Sequence, residues 1–375
     1  MTLDRAKEIV TNRHDYAREW KKKTGSKVMG YFCTYVPEEI VYAAGVLPIR
    51  VIGSHEAQSY TEPHIYTMFC PFSRDVLAQG LRGKYDYLDG IMIGHSCLHL
   101  RQAFGAWMTN VPASFSYYMY TPAKIQSPHA KEMMLAETTE FKKAVENWLG
   151  RPITDDALDK SIEVYNTNRR LLKQIYELRK ADPPPLFGSE AIELVLSSQL
   201  SDKAEHNKLL ESVLKELPQR RNGPQGGNIR LMIIGSEDDD TNFLRYVEGL
   251  GATIVADEHC TGSRYFWNET VPEKDRLRAI GNRYMNRPPC PTKDWESRRR
   301  FVHIMNMAKE YNIQGAILVQ QKFCDPHEFD IPPLKALLEK NGIPSLFLEF
   351  DITVPIGQFR TRVEAFLEML QLEVV

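Results

Sequence analysis

An α/β fold with open, mainly parallel sheets is predicted by three features of the chain. Apolar runs of strand length recur and end in glycine or polar turns. Segments of helical periodicity separate those runs. A central stretch has helical spacing only, which adds a helical region between two strand-bearing ones. The resulting division is 1–145, an N-terminal α/β region; 146–224, a helical region and linker; and 225–375, a C-terminal α/β region.

The first region begins with a charged helix. Val46 to Gly53 forms a short strand, Leu88 to Gly94 a second and Val111 to Tyr120 a third. In the third, Tyr117 and Tyr118 must face opposite ways. Apolar residues at helical spacing (Leu158, Ile162, Tyr165, Leu172) mark the middle region, which Pro183-Pro184-Pro185 interrupts. Arg220 to Gly227 is the boundary before a new sheet. Beyond it, Ile229–Ser236, Ala252–Asp257, Ala316–Gln320 and Pro344–Phe350 are buried-type strands separated by helices, as in a parallel sheet covered on both faces. Gly235-Ser236 lacks the full dinucleotide fingerprint.

A length of 375 residues is enough for two or three domains with their own cores. Charged residues make up 26% and the formal net charge is -2, which gives no electrostatic basis for nucleic-acid binding. No apolar segment reaches membrane-spanning length, and the start Met1-Thr2-Leu3-Asp4-Arg5 lacks the apolar core of a secretory signal. A cytoplasmic location without membrane association is expected.

Six cysteines in a chain this long do not form a secreted disulfide framework, and no CxxC pair is present. Buried structural thiols are the simplest reading. Three of the six nevertheless share one setting, a turn after an apolar run at the expected start of a helix. Cys97 lies in His95-Ser96-Cys97-Leu98-His99, Cys324 precedes Asp325-Pro326, and Cys70 precedes Pro71. A helix N-terminus favours a thiolate, and its free amides can donate to cluster sulfides. The shared setting favours an iron–sulfur cluster on Cys70, Cys97 and Cys324, in competition with buried structural thiols and with zinc completed by His95, His99 or His327. His95 and His99 are the candidate catalytic residues, as proton carriers or donors. Cys33 could approach the same pocket or cap a local helix. Cys260 suggests a pocket or a contact between subunits, and Cys290, between prolines, reads as structural.

In order along the chain, Tyr35-Val36-Pro37-Glu38-Glu39, Ala43-Ala44-Gly45-Val46-Leu47-Pro48, Cys70-Pro71-Phe72-Ser73-Arg74, Leu88-Asp89-Gly90 with Ser96-Cys97, Cys260-Thr261-Gly262-Ser263-Arg264-Tyr265-Phe266, Phe323-Cys324-Asp325-Pro326 and Gly357-Gln358-Phe359-Arg360 resemble the benzoyl-CoA reductase and 2-hydroxyacyl-CoA dehydratase family over nearly the full length. The resemblance implies two related α/β domains and a [4Fe-4S] cluster held by Cys70, Cys97 and Cys324. It also implies a homologous cluster-bearing partner subunit and a separate iron–sulfur ATPase component that supplies electrons. Nothing in this chain reads as a P-loop, so ATP chemistry belongs to that component. Leu98, where dehydratases more often carry an acidic residue, and Phe32-Cys33-Thr34-Tyr35 are closer to the smaller cluster-bearing subunit of the class I reductase. The implied reaction is dearomatisation of benzoyl-CoA or a related acyl-CoA to a cyclic dienoyl-CoA. The alternatives are a 2-hydroxyacyl-CoA dehydratase acting through a ketyl radical, and an electron-relay subunit without substrate chemistry.

Overall fold

The computed structural model describes residues 2–56, 59–294, 296–352 and 356–373. Among the described residues, eight strands form two four-stranded sheets. The first contains β1 (Val28–Tyr31), β2 (Leu47–Arg50), β3 (Gly90–Gly94) and β4 (Phe115–Met119), and the second β5 (Ile229–Gly235), β6 (Ala252–Glu258), β7 (Gly315–Gln321) and β8 (Ser345–Phe350). Every pairing is parallel, in the orders β2-β1-β3-β4 and β6-β5-β7-β8. The two sheets thus repeat one doubly wound topology, the relationship expected from the sequence. Helices cover the faces, and β5, β6 and β7 are buried along their whole length, which accounts for their unbroken apolar runs.

Two differences from the sequence reading concern the first sheet. The central strand β1 is not legible in the sequence, because Val28-Met29-Gly30-Tyr31 is too short to display a period and follows a lysine-rich helix. Its position depends on Gly30, where a Cβ would lie 2.6 Å from Leu88 Cδ1 and 2.7 Å from Ile91 Cδ1. The expected strand from Val111 shortens to β4, since the preceding helix, Leu98–Asn110, runs almost to it. Tyr117 and Tyr118 do face opposite ways: Tyr117 packs on Phe141 at 4.9 Å, and Tyr118 turns toward His95.

The middle of the chain is helical, with Ala130–Leu149, Asp155–Leu178, Gly188–Gln199 and Lys203–Glu216. Thr154 and Asp202 cap two of these helices by accepting from backbone amides of the first turn. A short helix, Glu38–Ala43, ties both sheets to this region. Its Glu38 accepts from the hydroxyls of Tyr31 and Tyr265, and Glu39 accepts from Arg169 and Tyr284. Among the described residues no helix is long and apolar enough to cross a membrane.

Candidate functional site: a six-cysteine chamber

The strand order reverses between β1 and β3 in the first sheet, and between β5 and β7 in the second. Such switch points open a crevice beyond the carboxyl ends of the strands. Here the two crevices share one chamber of about 70 Å³. Residues at or just past the ends of β1, β2, β3, β5, β6 and β7 form its wall: Cys33, Arg50, Cys97, Glu237, Cys260 and Cys324. Cys70 and Cys290 complete the set, so all six cysteines of the chain line this chamber.

Cys70, Cys97 and Cys324 are the N-cap residues of helices Pro71–Leu81, Leu98–Asn110 and Asp325–Lys340. Cys97 and Cys324 follow the topologically equivalent strands β3 and β7. The local setting expected from sequence is therefore present three times. Its electrostatic consequence differs from expectation, because burial pushes all three thiols up. The amides of Ser73, Leu100 and His327, each three residues on, oppose that shift without overcoming it.

Mutual repulsion runs across the whole set: Cys97 also feels Cys290, and Cys324 also feels Cys260. Cys97 ionisation is opposed by burial and then by Cys70, and that of Cys324 by burial and then by Cys70 and Cys97. Cys33 and Cys260 are likewise raised first by burial, and both feel Cys290. Cys33 and Cys260, for which a pocket was one of the readings from sequence, line the chamber together with Cys290. Cys33 follows β1, the strand without a sequence signal, and Cys290 sits in a proline-rich turn with neither a strand nor a helix pattern. Cys290, read from the sequence as structural, lies on the chamber wall.

The histidines have distinct positions. His99 Nδ1 accepts the Cys70 amide at 2.9 Å, and the His99 ring packs on Phe69 at 5.0 Å. His95 Nδ1 lies 3.3 Å from the Tyr118 hydroxyl, outside the chamber wall. Burial lowers the pKa of both. His327 is buried with Nδ1 3.4 Å from Cys324 Sγ, while its Nε2 has no hydrogen-bond partner.

Among the described residues no three His, Cys, Asp or Glu side chains converge to hold a single metal ion, so the zinc alternative finds no ready ligand set. A cubane is a different fit, because its thiolates surround a multi-atom core instead of one ion. The donor chemistry suits such a core: six thiols line one chamber, together with buried donors that lack partners, Arg50 Nε and Nη1 and the Ser96 hydroxyl.

Outside the chamber, an open groove of about 520 Å³ runs between residues 62–69 and helix Leu98–Asn110. It reaches Phe69, the residue before Cys70.

Known proteins share this architecture's sequence. The chain is 29% identical to the (R)-phenyllactyl-CoA dehydratase beta subunit of Clostridium sporogenes, with 97% of each chain covered. It is 27% identical to a benzoyl-CoA reductase subunit of Thauera aromatica, over 92% of this chain and 90% of that one. It is also 29% identical to the (R)-2-hydroxyglutaryl-CoA dehydratase beta subunit of Acidaminococcus fermentans, over 93% and 94%. With residues 33–370 matching the family described as 2-hydroxyglutaryl-CoA dehydratase, D-component, the chain belongs to that family of acyl-CoA dehydratase and reductase subunits.

Proposed function

We propose that this chain is an iron–sulfur subunit of an ATP-dependent reductase, acting on benzoyl-CoA or a substituted analogue. One observation carries the reading: Cys70, Cys97 and Cys324, each the cap of a helix, meet on a single chamber that all six cysteines line. Dehydration through a ketyl radical needs one electron, which is recovered at the end of each turnover. Dearomatisation consumes two electrons and two protons, so electrons must be supplied in every turnover and are not recovered. A [4Fe-4S] cluster held by Cys70, Cys97 and Cys324 would supply the low-potential electrons. The electrons would come from a separate iron–sulfur ATPase component, and a homologous subunit would complete the substrate site.

The chain's own residues provide the setting. Cys70 is buried and the other five cysteines are half-buried, which limits the access of water to strongly reducing chemistry. With Nδ1 accepting from Cys70, the His99 proton resides on Nε2, leaving that nitrogen as the donor. His95, beside Tyr118, is the second proton carrier. The chamber is too small for a CoA thioester, whereas the groove ending at Phe69 offers length for one beside Cys70.

The test is anaerobic assay of the assembled complex with ATP, a strong reductant, and either benzoyl-CoA or a 2-hydroxyacyl-CoA. Dienoyl-CoA formation with no dehydration is expected, and dehydration alone would overturn the reductase reading. Iron analysis of the chain purified without oxygen should give about four irons. Recovery of no iron would refute the iron–sulfur reading.

A further inference from the structure

His327 has no part in the proton handling assigned to His95 and His99, yet it is buried and lines the chamber. It is the third residue of helix Asp325–Lys340, whose N-cap is Cys324. Its amide donates to the Cys324 carbonyl at 3.0 Å. Its ring folds back over the same turn and puts Nδ1 3.4 Å from Cys324 Sγ. Ring and sulfur thus belong to one closed turn, and their separation does not depend on distant segments. Phe323, just before the cap, has a φ of 62°, a strained conformation for an aromatic residue. Across that bend the Cys324 amide donates to the Gln321 carbonyl at 2.9 Å, which turns β7 directly into the helix.

The other two cysteine-capped helices differ at the same position. Leu100, third after Cys97, carries no donor, and Ser73, third after Cys70, gives its hydroxyl proton to the Cys70 carbonyl at 2.7 Å. An imidazole at this position is therefore particular to the Cys324 turn. A thiolate bears no proton, so an attractive contact with it requires the proton on Nδ1. Nε2 is then bare, and it has no hydrogen-bond partner. The competing acceptor for the ring proton, the Gly235 carbonyl, already accepts from Arg264 Nη2 at 2.5 Å.

Resting on the reading of Cys324 as a cluster ligand, we propose that His327 is a positioning residue whose Nδ1–H donates to Cys324 Sγ and so raises the potential at which the bound cluster accepts an electron. Hydrogen bonds to the sulfurs are among the levers that set such potentials. One electron arrives from the separate iron–sulfur component, and the proton stays on Nδ1. The added negative charge strengthens the N–H···S contact, so the reduced state gains more from it than the oxidised state. Because His327 is buried, water does not take its place as donor. His327 acts only through Cys324, and His95 and His99 keep the proton-carrying roles.

The experiment is an EPR-monitored redox titration of the full-length chain, purified without oxygen, with iron counted in every sample. Wild type should retain about four irons. His327→Leu should shift the potential downward. His327→Asn, whose amide nitrogen can stand where Nδ1 does, should return most of that shift. His327→Gln, whose amide nitrogen stands one bond further out, should resemble the leucine variant. Should His327→Leu fail to fold or lose its iron, the asparagine and glutamine variants decide between them. Equal potentials in those two, with iron retained, would reduce His327 to packing and overturn the proposal. Loss of iron from all three variants would place His327 in holding the cluster and equally overturn its tuning role. Absence of iron from wild type would instead mark failure of the iron–sulfur reading beneath it.

Discussion

The Cys70 backbone amide donates to Nδ1 of His99 at 2.9 Å, tying the cap of one site helix to the first turn of another. His99→Ala leaves that amide without its acceptor at a cost of about 1–3 kcal/mol. His99→Asn can return an acceptor oxygen. Thermal unfolding of the metal-free protein should therefore show a clear loss for the alanine variant and a smaller one for asparagine. A proton-carrying role predicts that asparagine restores stability but not turnover, whereas recovery of both would leave His99 with positioning alone.

Gly94 closes β3 immediately before the His95–His99 turn, and a Cβ there would lie 2.1 Å from the Tyr35 carbonyl oxygen. Backbone cannot yield as a flexible side chain can, so Gly94→Ala should cost about 1–3 kcal/mol or more. Gly105, within helix Leu98–Asn110, has nothing within 4 Å of its added Cβ. Gly105→Ala should stabilise by about 0.5–1 kcal/mol, since alanine loses less backbone entropy on folding. Denaturant midpoints moving in opposite directions would bear this out, and equal midpoints would refute the packing argument.

His55 Nε2 and Asp239 Oδ1 form an ion pair at 2.7 Å that links the two sheet regions near the chamber. Asp239 raises the His55 pKa from 6.5 to about 10, against the effect of burial. The stability this histidine contributes is complete below its unfolded value of 6.5 and is lost as pH rises toward 10. Asp239 is opposed by burial but held below 3.8 by His55, so its share is lost only as pH falls through that depressed value. His55→Ala should cost on the order of 1 kcal/mol near pH 6. The penalty should fade above pH 10. Melting curves across pH would refute the pairing if the penalty stayed constant.

Glu39 is fully buried between Arg169, Tyr284 and Thr270. Burial works against its carboxylate, but Arg169 and Arg283 outweigh that effect and hold its pKa below the ordinary value. Arg169→Met strands a buried charge and should destabilise by about 3–5 kcal/mol. Adding Glu39→Gln should recover part of the loss. Additive losses in the double variant would rule out direct coupling.

Local patterns are legible where neighbours along the chain determine the outcome. The apolar runs at 229–236 and 252–257 become β5 and β6 because both faces of each strand are buried. Cysteine followed by proline or a short turn locates the caps at Cys70 and Cys324 for a similarly local reason. β1 stays hidden because four residues carry too little periodicity, and its neighbours are supplied by distant segments.

Local chemistry thus established the alternating architecture and three cysteine caps, and ordered motifs indicated the family. Tertiary structure alone brought Cys33, Cys260 and Cys290 beside them and set Arg50 against Glu237 across the chamber. That convergence requires two repeated sheets to meet at their switch points. Buried contacts such as Glu39 with Arg169 and Glu38 with Tyr265 hold them there. Those partners are separated by 130 and 227 residues, a distance over which hydrophobic periodicity carries no information about pairing.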